Sequence, residues 1–138
     1  MSKLKNLTPQ KAAEFMASEP KAILLDIRTT IEHSFVGHPI GCIHIPWKDA
    51  PDWELNPNFV KEVLTAASNK DTISPRDVPI LVMCRSGQRS VPASKLLMEN
   101  GFTNVAHIGE GFEGDIDEFD HRGELGGWRF RGLPWAQT

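Results

Sequence analysis

The chain alternates between short continuous hydrophobic runs and longer stretches in which apolar positions recur at helical spacing. The short runs have the length of buried strands, and the longer stretches have the period of amphipathic helices. Strands separated by helices are typical of βαβ units and predict a parallel sheet. The predicted strands are 22–25, 42–45, 79–83 and 105–108, the predicted helices are 8–19, 58–68 and 91–100, and a polar turn or short helix is predicted at 29–35.

Residues at the ends of the predicted helices support these boundaries. Thr8 is suited to cap the first helix, and Pro9 falls in the first turn, where its missing N–H costs nothing. Gly101 follows the third helix and is a typical C-terminal stop. In the second helix, four apolar residues share one face: Val60, Val63, Leu64 and Ala67.

The composition is that of a globular domain, with 138 residues, of which 40% are hydrophobic and 24% are charged. This length predicts one domain over 1–138, with a tail from about 122 that packs back on it. The longest apolar run, 78–84, is far shorter than the roughly 20 residues that span a bilayer. No apolar stretch follows Lys3 and Lys5, so we expect no secretory signal, no membrane partner and a cytoplasmic location.

The net charge of −3 argues against a nucleic-acid partner, because such binding needs clustered Lys and Arg. The charge is unevenly distributed along the chain. Residues 110–124 carry seven acids and one base, whereas the remainder carries 11 acids and 14 bases. Such a segment is most often a solvated face, and the alternative is a docking surface for a basic partner.

The two cysteines, Cys42 and Cys84, are too few for a disulfide framework. Cys84 directly follows the strand predicted at 79–83, where ligands of parallel sheets bind. Cys42 opens another predicted strand, so we expect it to pack in the core, with a redox role as the alternative. The five histidines show no i, i+4 pair and no zinc spacing with cysteine, and we predict neither a metal nor another cofactor.

The segment 84–90 joins a buried strand to a helix in about six residues and must therefore curl tightly. Gly87 permits the unusual backbone angles that such a curl needs. Backbone N–H groups at the start of the helix would converge on the sulfur of Cys84 and stabilise its thiolate. Because Arg85 and Arg89 add two cations, the loop predicts an anion-binding pocket around a reactive sulfur.

The sequence Cys-Arg-Ser-Gly-Gln-Arg at 84–89 resembles the active-site loop of the rhodanese family of sulfurtransferases. Further segments in the family's order carry the same resemblance: 25–28 with Glu32, 37–46, 101–111 and 128–134. Cys42 departs from the family's pattern, because it stands where alanine is usual.

The resemblance implies a three-layer α/β fold, with a parallel sheet of about five strands flanked by helices on both faces. It implies that Cys84 takes a sulfane sulfur from a small sulfur-containing anion such as thiosulfate, or from a persulfide. The sulfur then passes to cyanide, a thiol or a protein cysteine. The implied substrate-binding loop is Arg85, Ser86, Gly87, Gln88 and Arg89, and the implied loop supports are Asp26, Arg28 and Glu32.

Several alternatives stay open at this point. Each loop arginine can contact substrate directly, point into solvent or pair with Glu32. A non-enzymatic module that carries sulfur or binds a partner would also use Cys84. Cysteine phosphatases of this fold place five residues between the cysteine and the arginine, whereas four lie between Cys84 and Arg89, and the smaller ring suits sulfur better. Trp47 can simply pack, or it can form an apolar rim at the mouth of the site.

Overall fold

A five-stranded parallel sheet forms the centre of this computed structural model, which describes residues 4–137. In chain order the strands are β1 (Lys5–Leu7), β2 (Ile23–Asp26), β3 (His38–Pro39), β4 (Ile43–His44), β5 (Ile80–Met83), β6 (Val105–Ile108) and β7 (Trp135–Ala136). The main sheet has the order β1-β6-β5-β2-β4, and β3 pairs with β7 in a separate antiparallel ribbon. The three central strands are buried along their whole length, as expected of a parallel sheet covered on both faces.

Helices cover both faces of the sheet. The three α-helices are α1 (Pro9–Ser18), α2 (Phe59–Ser68) and α3 (Ser90–Glu99), and the short helical turns are a π-helical turn at Glu32–Val36 and a 3₁₀ turn at Pro75–Asp77. Side chains alternate between the two faces along each strand. The face that carries Leu25 and Val82 packs against α2 and α3, whereas the opposite face, with Leu24 and Leu81, packs against α1 and the C-terminal segment. This is the three-layer α/β arrangement that the resemblance predicted.

The register of the central strands brings two predicted site residues to one edge. Asp26 at the end of β2 is the register partner of Met83, the last residue of β5. Cys84 follows Met83 directly, so it lies at the same carboxyl edge of the sheet as Asp26. The sheet therefore sets the spacing of the site before any loop residue contributes.

Most predicted elements are present with small shifts at their ends. The strand predicted at 22–25 is shifted by one residue, so Asp26 belongs to the strand and does not follow it. The strand predicted at 42–45 shrinks to two residues at the sheet edge, which leaves Cys42 outside it. Thr8 caps α1 as predicted, because its hydroxyl oxygen accepts from the N–H of Lys11 at 3.2 Å. None of the helices within residues 4–137 is long and apolar enough to cross a membrane.

Three strands were not predicted from the hydrophobic pattern. β1 is a three-residue edge strand in which Lys5 and Asn6 are exposed, so it lacks a hydrophobic run. β3 and β7 have two residues each, and they form only because the tail returns to pair with residues almost a hundred positions earlier. In this tail Trp128 is buried, and its indole N–H donates to the carbonyl of Pro134 at 2.8 Å. A single domain over 1–138 stays a prediction.

Leu97 in α3 is fully buried between the helix and the sheet, which allows a test of this packing. We expect Leu97→Ala to lower the free energy of unfolding by about 2–5 kcal/mol, because a cavity replaces the side chain. Leu125→Ala is the matched control, because that side chain is 56% exposed and loses little buried surface. Urea denaturation measures both variants, and equal effects would contradict the assigned core.

Candidate active site around Cys84

Cys84 lies at the centre of the predicted loop, where β5 ends and the chain turns toward α3. Its side chain is buried, and its sulfur accepts two backbone N–H groups. The N–H of Gly87 lies 3.2 Å from Sγ, and the N–H of Ser90, the first residue of α3, lies 3.3 Å from it. Amide donors at a helix N-terminus stabilise negative charge, so the sulfur lies at a position suited to hold an anion.

The loop can curl around the sulfur because two glycines lie where no side chain fits. Gly87 has φ of +98°, which other residues rarely adopt, and a Cβ on it would clash with the backbone of Gly109. Gly111 has φ of +67°, and a Cβ there would clash with the backbone of Cys84 and Arg85. The chain after β6 therefore packs directly against the loop.

The turn after β6 also holds the loop by backbone hydrogen bonds. The N–H of Phe112 donates to the carbonyl of Cys84 at 2.9 Å, and the N–H of Glu113 donates to the carbonyl of Arg85 at 2.9 Å. The N–H of Gly114 reaches the same Arg85 carbonyl at 3.2 Å. The start of the acidic segment 110–124 thus lies beside the loop, a proximity that nothing in the charge pattern indicated.

Of the two loop arginines, Arg89 is held by an internal partner. Its guanidinium donates two hydrogen bonds of 2.8 Å to the carboxylate of Glu32. Burial raises the pKa of Glu32, but the hydrogen bonds and charge of Arg89 outweigh it and bring the pKa below its usual value. Thr29 also donates to this carboxylate through its N–H and its hydroxyl. Of the three alternatives for Arg89, the structure therefore shows the one in which the guanidinium pairs with Glu32.

Asp26 and Arg28 form a fully buried ion pair at the carboxyl end of β2. Arg28 Nε and Nη2 donate to the two carboxylate oxygens at 2.9 Å each, and Nη2 also donates to the carbonyl of Gly37 at 2.6 Å. His33 Nδ1 lies 2.7 Å from Asp26 Oδ2. Burial acts to raise the pKa of Asp26, but hydrogen bonds from His33 and Arg28 outweigh it and lower the pKa to about 2. The guanidinium also lies over the ring of Phe112, 4.5 Å from its centroid.

Three histidines stack in parallel next to this ion pair, a feature that their sequence spacing did not indicate. The ring of His33 lies between those of His38 and His44, with centroid distances of 4.0 and 4.1 Å. His44 Nε2 lies 2.8 Å from the carbonyl of Arg28, and burial lowers the pKa of His44. The stack joins β3, β4 and the π-helical turn that contains Glu32.

Donor atoms of Asp26, His33 and Cys42 lie within 4.8 Å of one another, close enough to consider a metal. The carboxylate of Asp26 is, however, already neutralised by the buried guanidinium of Arg28. Burial raises the pKa of Cys42 to about 12, so its thiol is protonated near neutral pH. The structure shows the cluster as an ion pair with its hydrogen-bonding neighbours.

Cys42 and Cys84 belong to opposite faces of the sheet. Cys84 is part of the core under α2 and α3, whereas Cys42 packs against the core under α1. Both thiols are free. The sheet between them favours the packing role for Cys42 over a role as redox partner of Cys84.

A cleft of about 480 Å³ opens beside the loop. Arg85 and Arg89 contribute to its wall, together with Glu113, Ile31 and Trp53. Trp53 is 53% exposed and supplies an apolar rim to the cleft. Trp47, which the sequence suggested for this role, packs against the core instead.

The remaining loop residues lie near the surface. Arg85 and Gln88 are exposed, and Ser86 is half-buried. A larger cavity, of about 590 Å³, lies between Leu4 and α3, and no loop residue lines it.

A parallel sheet between helices, with a cysteine-bearing loop at its carboxyl edge that leads into a helix N-terminus, defines a class of cysteine-loop α/β domains. Within that class the chain belongs to the rhodanese-like domain family, whose sequence profile matches residues 8–117.

Related proteins extend this similarity over most of the chain. An uncharacterized protein of Rickettsia conorii is 30% identical over 135 residues, which cover 96% of this chain and 97% of that protein. The thiosulfate sulfurtransferase GlpE of Haemophilus influenzae is 31% identical over 110 residues, 80% of this chain and 86% of that protein. The crystal structure of Rv0390 from M. tuberculosis superposes with a TM-score of 0.81 at 36% identity, covering 99% of this chain and 100% of that one.

The pKa of Asp26 predicts how stability depends on acidity. Because the folded state lowers this pKa from 3.8 to about 2, the ionised carboxylate stabilises the fold above about pH 4. That stability is lost as the pH falls from about 5 to about 2. We expect the wild type to lose about 2 kcal/mol more of its free energy of unfolding over this range than Asp26→Asn.

Urea denaturation at several pH values checks this difference. Asp26→Asn is also expected to be the less stable protein near neutral pH, because Arg28 then stays buried without a counter-ion. Parallel acid profiles for the two proteins would contradict the stabilising role of the ionised carboxylate.

Proposed function

We propose that the chain is a sulfurtransferase that moves a sulfane sulfur through a persulfide on Cys84. The observation that carries the proposal is the convergence of the Gly87 and Ser90 N–H groups on Sγ, at 3.2 and 3.3 Å. A thiol held in this way is activated as a nucleophile, and the same donors suit a persulfide anion formed at that place. Relatives named as thiosulfate sulfurtransferases, at 31% and 36% identity, support the proposal.

The reaction is a double displacement. The Cys84 thiolate attacks the outer sulfur of thiosulfate, a new S–S bond forms on Cys84, and sulfite leaves with the electron pair of the broken S–S bond. In the second step a thiophile such as cyanide attacks the terminal sulfur of the persulfide. Thiocyanate forms and the Cys84 thiolate returns, so no external oxidant or reductant is needed. A thiol or a protein cysteine can replace cyanide as the acceptor.

The two arginines take different parts in this proposal. Arg85 is exposed on the wall of the cleft and is the cation available to an incoming anionic donor. Arg89 acts through its ion pair with Glu32, which fixes the end of the loop just before α3. Asp26 and Arg28 act through Glu32, because Arg28 links the end of β2 to the carbonyl of Gly37, which directly follows the turn that contains Glu32.

The pairing of Arg89 weighs against the phosphatase alternative. A phosphatase needs the loop arginine to clamp phosphate oxygens, but here the two terminal nitrogens of this guanidinium form a bidentate pair with Glu32. An assay with an aryl phosphate beside the thiosulfate assay separates the two activities. Release of phosphate without formation of thiocyanate would favour the phosphatase.

A sulfur-carrier module is the second candidate function, and it is supported by the position of the acidic segment 110–124 beside the loop. The turn at the start of 110–124 is hydrogen-bonded to the loop through Glu113 and Gly114, and acidic side chains beyond it are exposed. A carrier that docks a basic partner there would discharge its persulfide only to that protein. Rapid discharge of loaded Cys84 by small thiols favours the enzyme, and discharge only by a protein acceptor favours the carrier.

The proposed role of Cys84 can be tested by sulfur loading. Incubation of the wild type with thiosulfate is expected to add one sulfur atom to Cys84, which intact mass and peptide mapping detect. Cys84→Ser is expected to lose both the added sulfur and the transfer activity while it keeps its circular dichroism spectrum. Cys42→Ser is the matched control and should load normally, because Cys42 packs on the other face of the sheet. Retained transfer in Cys84→Ser would refute the mechanism.

The proposed role of the Glu32–Arg89 pair can be tested by removing its negative charge. Glu32→Gln weakens the two charged hydrogen bonds that fix the loop, so we expect sulfur loading to slow roughly tenfold. Glu110→Gln is the control, because it removes the charge from another Arg-carboxylate pair, with Arg131, at 3.0 Å. Equal rates of loading in the two variants would show that the charge of Glu32 does not position the loop.

A further inference from the structure

A buried histidine on the neighbouring strand contacts the active-site loop through one hydroxyl group. His107 lies in β6 and is 8% exposed, and its Nδ1 is 2.9 Å from Ser90 Oγ. The same Ser90 Oγ lies 3.2 Å from the carbonyl oxygen of Gly87. Gly87 and Ser90 are the two residues whose N–H groups reach Cys84 Sγ. One hydroxyl thus ties together the two donors of the sulfur, and His107 is its remaining partner.

Two arrangements of the protons fit these contacts, one for each tautomer of His107. In the first, the single hydroxyl proton of Ser90 goes to the carbonyl oxygen of Gly87, which can only accept. The contact with His107 is then a hydrogen bond only if Nδ1 carries a proton and donates it to Oγ. The Nδ1–H form of the imidazole therefore leaves the hydroxyl free to bridge the loop. In the other tautomer the hydroxyl would turn toward the ring and release the Gly87 carbonyl.

The surroundings of His107 favour the neutral ring. Its register partners are Asn6 on β1 and Val82 on β5, neither of which carries a charge. Burial lowers the pKa of His107, so the ring is neutral near neutral pH. A neutral donor at this position orients the hydroxyl without placing a full charge next to the loop.

We propose that His107 is a positioning residue, which acts through the Ser90 hydroxyl to hold the Gly87 and Ser90 N–H groups on the sulfur of Cys84. This inference rests on the proposed function, because it concerns the same sulfur. Without the Nδ1 donor, the hydroxyl can turn away from Gly87, and the loop is less well ordered around a thiolate. The expected consequence is a weaker acid at Cys84 and slower sulfur loading.

The test measures thiolate formation directly. Every protein carries Cys42→Ala, so Cys84 is the only thiol, and the chain has no tyrosine to add an overlapping ionisation. Thiolate absorbance in the ultraviolet is followed against pH. In His107→Leu the midpoint is expected to rise by about one pH unit. At a pH below both midpoints the rate of sulfur loading should then fall about tenfold, because about one tenth as much thiolate is present.

Two further variants separate positioning from a packing defect. His107→Asn is expected to restore most of the wild-type midpoint, because its amide N–H can replace Nδ1–H, whereas His107→Gln reaches to the position of Nε2 and should not. In a Ser90→Ala background, His107→Leu should shift the midpoint of thiolate formation little further, because His107 acts through the Ser90 hydroxyl. Circular dichroism and thermal unfolding of each variant show whether the fold is intact.

The outcomes also distinguish this inference from the proposed function. If the wild type takes up no sulfur but the midpoints shift as described, the proposed function fails and the role of His107 stands. An unchanged midpoint in His107→Leu overturns the inference. Equal midpoints in His107→Asn and His107→Leu, or additive shifts with Ser90→Ala, overturn it as well.

Discussion

The buried ion pair of Asp26 and Arg28 is the constraint on which the rest of the site depends. Both side chains are completely buried, so removal of either partner would leave an uncompensated charge in the core. The pair fixes the end of β2 to the carbonyl of Gly37 and to the ring of Phe112. Gly37 directly follows the π-helical turn that contains Glu32, and Phe112 lies in the turn after β6. The ion pair therefore links the two segments that reach the loop.

The loop itself is supported from two directions, which explains how a short, glycine-containing segment can present ordered donors. On one side Glu32 holds Arg89 by two hydrogen bonds. On the other side the chain after β6 packs on Gly87 and binds the carbonyl of Cys84 through Phe112. A nucleophile gains most from donors that are already in place before charge develops on it. Ordinary packing contacts thus hold in place the donors that the proposed chemistry of the sulfur needs.

The sequence predicted the central strands and the loop well because both are local features. Continuous hydrophobic runs have the length of buried strands, and a cysteine followed by Gly87 and a helix start can fold in few ways. β1 has no hydrophobic run, because Lys5 and Asn6 are exposed at the sheet edge, and the ribbon of β3 and β7 joins distant segments, so no local pattern indicates either. The stack of His33, His38 and His44 likewise has no signature in helical or zinc spacing, because its rings come from a turn and two short strands.

What the sequence by itself determined is the kind of protein: an α/β domain with one cysteine at the carboxyl edge of a parallel sheet, in a loop that resembles the rhodanese loop. Only the tertiary structure decided which partner each polar side chain takes. Arg89 turns to Glu32, Cys42 and Cys84 face opposite cores, and His107 meets the hydroxyl of Ser90. The reason is physical: secondary structure follows from local periodicity, whereas these contacts join residues that are far apart in sequence and meet only when the strands pair.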